Sequence, residues 1–244
     1  MTIAGNLSSI REKIERAAER TGRSADDIIL VAVSKTVPIA AIQSAISAGI
    51  THLGENRVQE AYEKFALPGD VAEGKIGRDG ITLHMIGTLQ RNKANRAAAL
   101  FDYVQSVDRA ELAWSLEKAA AVERGGQPLP VLLEVNLTGE ASKSGISPQD
   151  LPKLADVVSG CSHLSGMGLM TIARQDAGEK ELRATFSTLR NFLDTLRAHY
   201  PSPNNWQHLS MGMSGDYELA IQEGATIIRL GRAIFGERSS VTKT

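Results

Sequence analysis

Apolar residues run without a break from Ile28 to Val33, and most are β-branched. That pattern fits a strand buried on both faces, as in a parallel sheet covered by helices. The stretch LVAVSKTVP then sets Lys35 where the apolar run ends and Pro38 where a helix can open, running through IAAIQSAISAG to a stop at Gly49. THLGEN supplies a second strand and completes a βαβ unit. Ahead of it, IREKIERAAER places apolar or small residues at helical spacing and ends near Gly22.

The same alternation continues along the chain. Strands ITLHMIG, YVQSVD, PVLLEVNLT, LSGMGLMTIA, WQHLSMGM and TIIRLGRAIFG are separated by helices LQRNKANRAAAL, RAELAWSLEKAAAVERG, SPQDLPKLADVVSG, EKELRATFSTLRNFLDTLRAHY and SGDYELAIQEG. Eight strands alternating with helices predict a single domain over residues 1–244, a (β/α)8 barrel of TIM type with an extra N-terminal helix. A doubly wound open sheet is the alternative, but the first βα turn lacks the glycine fingerprint of a dinucleotide site. GDVAEGKIGRDG reads as an exposed loop.

Composition narrows the function classes. A net charge of −1 gives no overall basic field, so nucleic acid is not an expected partner. No apolar run approaches the ~20 residues that span a bilayer, and the N-terminus has no signal-peptide core, so the expectation is a cytoplasmic protein with no membrane partner. One cysteine, Cys161, excludes an internal disulfide and a multi-cysteine zinc site, and its expected role is that of a small packed side chain.

A barrel would gather at its C-terminal rim Lys35, Gly54 to Asn56, Ile86 and Gly87, Ser106 to Asp108, Asn136, Ser210 to Ser214 and Arg229 to Arg232. The loops after strands seven and eight are a usual phosphate site in such barrels, and Ser214 is placed to cap the helix that follows it. Against this, Gly231 and Gly236 serve equally well as bends, and a strand-end lysine is commonly just solvated. Lys35 and a phosphate site in one mouth fit pyridoxal phosphate (PLP), which offers an aldehyde to a lysine amine, with Arg229 at the pyridine nitrogen. A reading from another class is a metal-dependent hydrolase using His52, His84, His208 and Glu55, although no H-x-H pair gives metal-ligand spacing.

AVSKTVP, HLGENRVQE, HMIGTLQRNKA, VQSVDR, NLTGEASKSGI, GLMTIA, LSMGMSGDYELAIQEGAT and RLGRAIFGER together resemble the pyridoxal phosphate homeostasis proteins, relatives of the barrel domain of alanine racemase. The resemblance runs from Ile28 to Arg238 and implies PLP held as an aldimine (Schiff base) on Lys35. It also implies phosphate on Ser214 and the amides of Gly231 and Arg232, Arg229 at the ring nitrogen, and Asn56, Met85, Ser210 and Met213 lining the pocket. Arg232 stands where the family usually has a small hydroxyl residue, which removes one side-chain contact. Lys143 in SKSG is a secondary cofactor-handling lysine by resemblance and a solvated loop lysine otherwise. The family implies storage or delivery of the cofactor, with apo PLP-dependent enzymes as recipients, effects on amino-acid and keto-acid balance, and a monomer. The chain ends just after its eighth strand, so the second base of a racemase is not expected. A PLP-dependent enzyme of narrow, racemase-like activity is the alternative.

Overall fold

The computed structural model describes residues 2–140, 144–201 and 205–237. Its strands are β1 (Ile29–Val33), β2 (His52–Glu55), β3 (Thr82–Met85), β4 (Tyr103–Val107), β5 (Leu129–Glu134), β6 (Leu164–Met170), β7 (His208–Ser210) and β8 (Ile227–Leu230). They pair in chain order, and β8 returns to β1 to close a parallel barrel, as the alternation predicts. The closing register sets Val31 beside Arg229 and Ala32 beside Leu230.

Side-chain alternation sorts each strand into two faces. Val31, Leu132, Met170 and Ile227 pack together inside the barrel. Their neighbours Ala32, Val131, Leu133, Leu169 and Ile228 join the larger core between barrel and helices. Helices α1 (Ile3–Glu19), α2 (Ile39–Ser47), α3 (Val58–Lys64), α4 (Ala94–Leu100), α5 (Ala110–Glu123), α6 (Leu151–Ser159), α7 (Glu179–His199), α8 (Tyr217–Gln222) and α9 (Arg232–Phe235), with short 3-10 turns at Ala25–Asp27 and Arg91–Lys93, complete the described elements.

The extra N-terminal helix is capped by Thr2, whose hydroxyl accepts from the Gly5 amide at 3.2 Å. It buries Leu7, Ile10 and Ile14, each contributing about 1.5–3 kcal/mol relative to exposure. Asn6 Nδ2 donates to the Ile234 carbonyl at 2.9 Å, tying the helix to α9. No helix among the described residues is long and apolar enough to cross a membrane.

Two local expectations change. Helix α3 lies between the second and third strands, where the sequence pattern picks out no particular helix; Val58, Ala61 and Lys64 are its buried positions, and Phe65 behind them bridges to Ile76. The GDVAEGKIGRDG loop is mostly exposed, but Ile76 and Arg78 are buried, and Arg78 donates to Leu100 O and pairs with Asp102.

Candidate active site

Barrel closure turns residues far apart in sequence into one arc. Read around the rim, Asn56 follows β2, Lys35 follows β1, Arg229 to Arg232 span the end of β8 and the loop after it, and Ser210 to Ser214 the end of β7 and its loop. Eight of the nine expected site residues fall on these four adjacent strands and their loops. Asn56 is half-buried and its Oδ1 is fully enclosed with no hydrogen-bond partner among the described residues, an acceptor of the kind a bound ligand satisfies.

Lys35 lies half-buried two residues beyond β1, in a turn that Val37 N–H closes on Ser34 O at 3.0 Å. Behind the turn, Glu55 is fully buried and accepts from Ser34 Oγ at 2.8 Å and Lys64 Nζ at 3.0 Å. Lys64 Nζ also donates to Glu60 Oε1 at 2.6 Å and Ser34 O at 2.7 Å. Burial pushes the Glu55 carboxyl above its ordinary range, partly offset by Lys64 and Ser34. Burial acts the same way on Glu60, but hydrogen bonds from Lys64 and the Thr36 amide, with the charges of Lys64 and Arg57, outweigh it and hold that carboxyl low.

Arg229 is buried inside the barrel, donating from one terminal nitrogen to Ser210 Oγ at 2.5 Å and from the other to Thr171 O at 2.8 Å. Burial pushes the guanidinium down to about 10, against the pull of Glu134 and Asp216. Ser210 continues to Gln105 Oε1 at 2.6 Å, Gln105 Nε2 to His84 Nδ1 at 2.8 Å, and His84 Nε2 to His52 Nδ1 at 3.0 Å. Tyr103 stacks on the His84 ring with centroids 4.8 Å apart. Burial, then the neighbouring His52, His208 and Arg78, holds His84 well below its ordinary value. Glu134, 4% exposed, is raised to about 7 by burial and Asp108, with Arg229 pulling the other way.

The loops after β7 and β8 meet where Ser214 Oγ accepts from the Ala233 amide at 3.2 Å. This draws a hydroxyl to the first turn of α9, where the Gly231 and Arg232 amides precede any intrahelical partner. Ser214 does not cap α8; Asp216 holds the N-cap position and takes the Met213 amide on its carboxylate. Met213 and Ser214 are half-buried, and the Arg232 side chain is exposed to solvent. Two glycines owe their identity to packing rather than to ligand approach. A Cβ on Gly87 would come 2.4 Å from Asn56 O, and one on Gly212 (φ +96°) 2.6 Å from Ala220 Cβ.

Several expected participants lie elsewhere. Met85 is buried on the outer face of β3, opposite the inward His84, and packs in the barrel–helix core rather than in the mouth. Asn136 holds its own loop, accepting from Thr138 N at 3.1 Å and donating to Glu140 O at 3.0 Å. Ser106 ties β4 to Gly87 O at 2.7 Å, and Asp108 pairs with Arg109. Lys143 lies outside the described residues. The hydrolase set does not converge, since Glu55 turns to Lys64, His208 to Thr226 and His84 to His52 and Gln105. No metal-ligating cluster of three groups occurs among the described residues. The Cys161 thiol is pushed up to about 11 by burial and Glu117, which leaves it a poor nucleophile. Sequence reasoning missed Glu60, Lys64, Gln105 and Glu134. Of these, Glu134 carried a signal, a carboxylate inside the apolar run Val131 to Val135.

Residues 5–239 match the family model described as alanine racemase, N-terminal domain. The chain is 40% identical to the pyridoxal phosphate homeostasis protein of Vibrio cholerae, over 97% of both chains. It is similar to PipY of Synechococcus elongatus PCC7942, a structure solved with PLP bound, at 34% identity and a TM-score of 0.77 over 96% of this chain and 100% of that one. Alanine racemase from Corynebacterium glutamicum shares the fold, with a TM-score of 0.63 at 15% identity over 99% of this chain and 63% of that one. By these matches over nearly its whole length, the chain belongs to the pyridoxal phosphate homeostasis protein family, built on the alanine racemase N-terminal barrel.

Proposed function

We infer that this protein binds pyridoxal 5′-phosphate in the mouth of the barrel and serves its homeostasis, storing the cofactor and delivering it to apo PLP-dependent enzymes. The observation that carries the reading is the arc made by closure of β8 on β1. It places a lysine, an arginine and a hydroxyl-plus-amide loop on neighbouring strands. The residues fit the group: Asn56 Oδ1 is an enclosed acceptor without a partner among the described residues, and Ser214 Oγ, bonded to the Ala233 amide, stands at the first turn of α9, where the Gly231 and Arg232 amides have no intrahelical acceptor. When bound, the group supplies an aldehyde for the Lys35 amine and a ring that withdraws electrons most strongly when its nitrogen is protonated.

Ser214 and the two amides hold the phosphate, Lys35 the aldehyde end, and Arg229 the ring nitrogen, with Asn56, Ser210 and Met213 around them. Met85 is left out of this set. Arg229, protonated at neutral pH, donates a hydrogen bond but keeps its proton, so it holds the ring without activating it strongly. That favours holding over turnover. The working form is read as a cytoplasmic monomer with no nucleic-acid or membrane partner, in keeping with the near-neutral charge.

Borohydride reduction of the protein incubated with PLP, followed by peptide mapping, tests the site. The label is expected on Lys35; a label only on other lysines overturns it. One observation favours a second reading, an enzyme of narrow activity: Glu134 is an interior carboxyl poised near 7. Incubation with PLP and L-alanine in deuterated water separates the two. Fast α-deuteration with accumulation of D-alanine, lost in Lys35→Ala, supports the enzyme; its absence supports the carrier.

A further inference from the structure

The turn that carries Lys35 contains a residue in a costly conformation. Thr36 has φ +62°, one of two non-glycine residues in the left-handed region among those described. It occupies the third position of the turn closed by Val37 N–H on Ser34 O, where glycine or asparagine is usual. A β-branched residue persists there only if its surroundings hold it.

What holds it comes from outside the strand. The Glu60 carboxylate accepts the Thr36 amide. The same oxygen accepts from Lys64 Nζ at 2.6 Å, and that ammonium also donates to the Ser34 carbonyl at 2.7 Å. Glu55 completes the set by accepting from both Lys64 Nζ and Ser34 Oγ. The bonds fall on the residues directly before and after Lys35. All three groups are largely enclosed, with side-chain exposures of 0% for Glu55, 11% for Lys64 and 20% for Glu60.

We propose that Glu60 and Lys64, supported by Glu55, are positioning residues that lock the Lys35 turn in its left-handed form and so fix the direction of the Lys35 amine. The proposal rests on the reading of Lys35 as the cofactor lysine. Lys64, a second lysine near the mouth, then has a structural role, because its ammonium is held by three acceptors and withheld from reaction.

Two arms test it on the full chain. In the first, PLP and borohydride trap Lys35, and the rate per folded molecule is compared across variants. Glu60→Ala is expected to slow trapping about tenfold or more, the usual scale for a displaced reacting group. Adding Thr36→Gly to Glu60→Ala should recover most of the rate, since glycine takes the left-handed form unaided. Unchanged trapping in Glu60→Ala, or no recovery with Thr36→Gly, overturns the proposal, because a role in stability alone moves neither. The second arm needs no cofactor. Reductive methylation with formaldehyde and cyanoborohydride should spare Lys64 in the wild type and modify it in Glu60→Ala, with exposed Lys118 as the reference. Wild-type Lys64 reacting as fast as Lys118 overturns the lock. A wild type that traps PLP on other lysines while Lys64 stays protected overturns instead the cofactor role of Lys35, and with it this proposal's purpose.

Discussion

Arg229 donates to Ser210 Oγ at 2.5 Å, and that bond sets the direction of every hydrogen bond behind it. A guanidinium has no acceptor, so Ser210 must accept from it and give its own proton to Gln105 Oε1. Gln105 is thereby oriented with its amide nitrogen toward His84 Nδ1, which accepts, and His84 carries its proton on Nε2 toward His52. The line is one-way, from the rim of the barrel into its depth, and it requires a neutral His84, in keeping with the low pKa that burial gives it.

Nitrogen-15 NMR of the imidazoles checks this directly. The wild type is expected to show His84 as the neutral Nε2–H tautomer between pH 6 and 8. Gln105→Glu removes the donor facing Nδ1, so His84 should switch to Nδ1–H or become protonated, at a stability loss of about 1–3 kcal/mol. An Nδ1–H tautomer in the wild type would contradict the direction of the line.

Glu134 makes stability depend on pH. Its folded value is raised from 4.5 to about 7, so the folded chain binds more protons than the unfolded one in that window. Its contribution is fully present below pH 4.5 and is lost as pH rises through 7, about 3 kcal/mol in all. Glu134→Gln should gain stability over the wild type at pH 8 and not at pH 4. Urea midpoints at the two values measure it; parallel shifts at both would show that the carboxyl is not perturbed.

Ser214→Ala should leave the fold intact and weaken PLP retention about 10- to 150-fold, the loss of a charge-assisted hydrogen bond. Pyridoxal without its phosphate should bind far more weakly than PLP and should not distinguish the variant from the wild type. Fluorescence titration of both ligands reads the effect, and equal affinity for the two would misplace the phosphate site.

Gly212→Ala should be strongly destabilising, about 3 kcal/mol or more, from a positive φ and the collision of its Cβ with Ala220 and Tyr217. Denaturant unfolding of the protein without ligand tests it. A loss seen only in PLP binding would mean that the glycine serves the ligand and not the seat of α8.

The barrel was legible because short, largely apolar runs alternate with helical patterns along the chain, and the residues at their ends followed from the fold. Lys35, Asn56, Ser214 and Arg229 could therefore be gathered from the strand pattern alone. Helix α3 was not legible: it is only Val58–Lys64, with two buried apolar positions, and a glycine-rich loop follows. With it went Glu60 and Lys64, whose partners across the turn no local pattern reveals. The line through Gln105 and His84 was hidden for another reason. A barrel interior is usually apolar, so inward polar residues on β3 and β4 give the same alternation as strands with one face in water. Met85 was misplaced because a motif records which residues neighbour the site, not which face of the strand they take.

The seam between β1 and β8 also sets when the protein can act. Val31 and Arg229, paired across it, stand about 200 positions apart, so this contact is among the most demanding in chain entropy. On a ribosome Lys35 emerges well before Ser214 and Arg229 to Arg232, the residues that the proposed site sets at the phosphate and the ring nitrogen. On that proposal a half-folded chain offers the lysine without the rest of the pocket, and tight capture reports a closed barrel. On the same proposal the ligand adds its binding energy to the closed form alone, which makes the cofactor a clasp across the joint of β8 with β1.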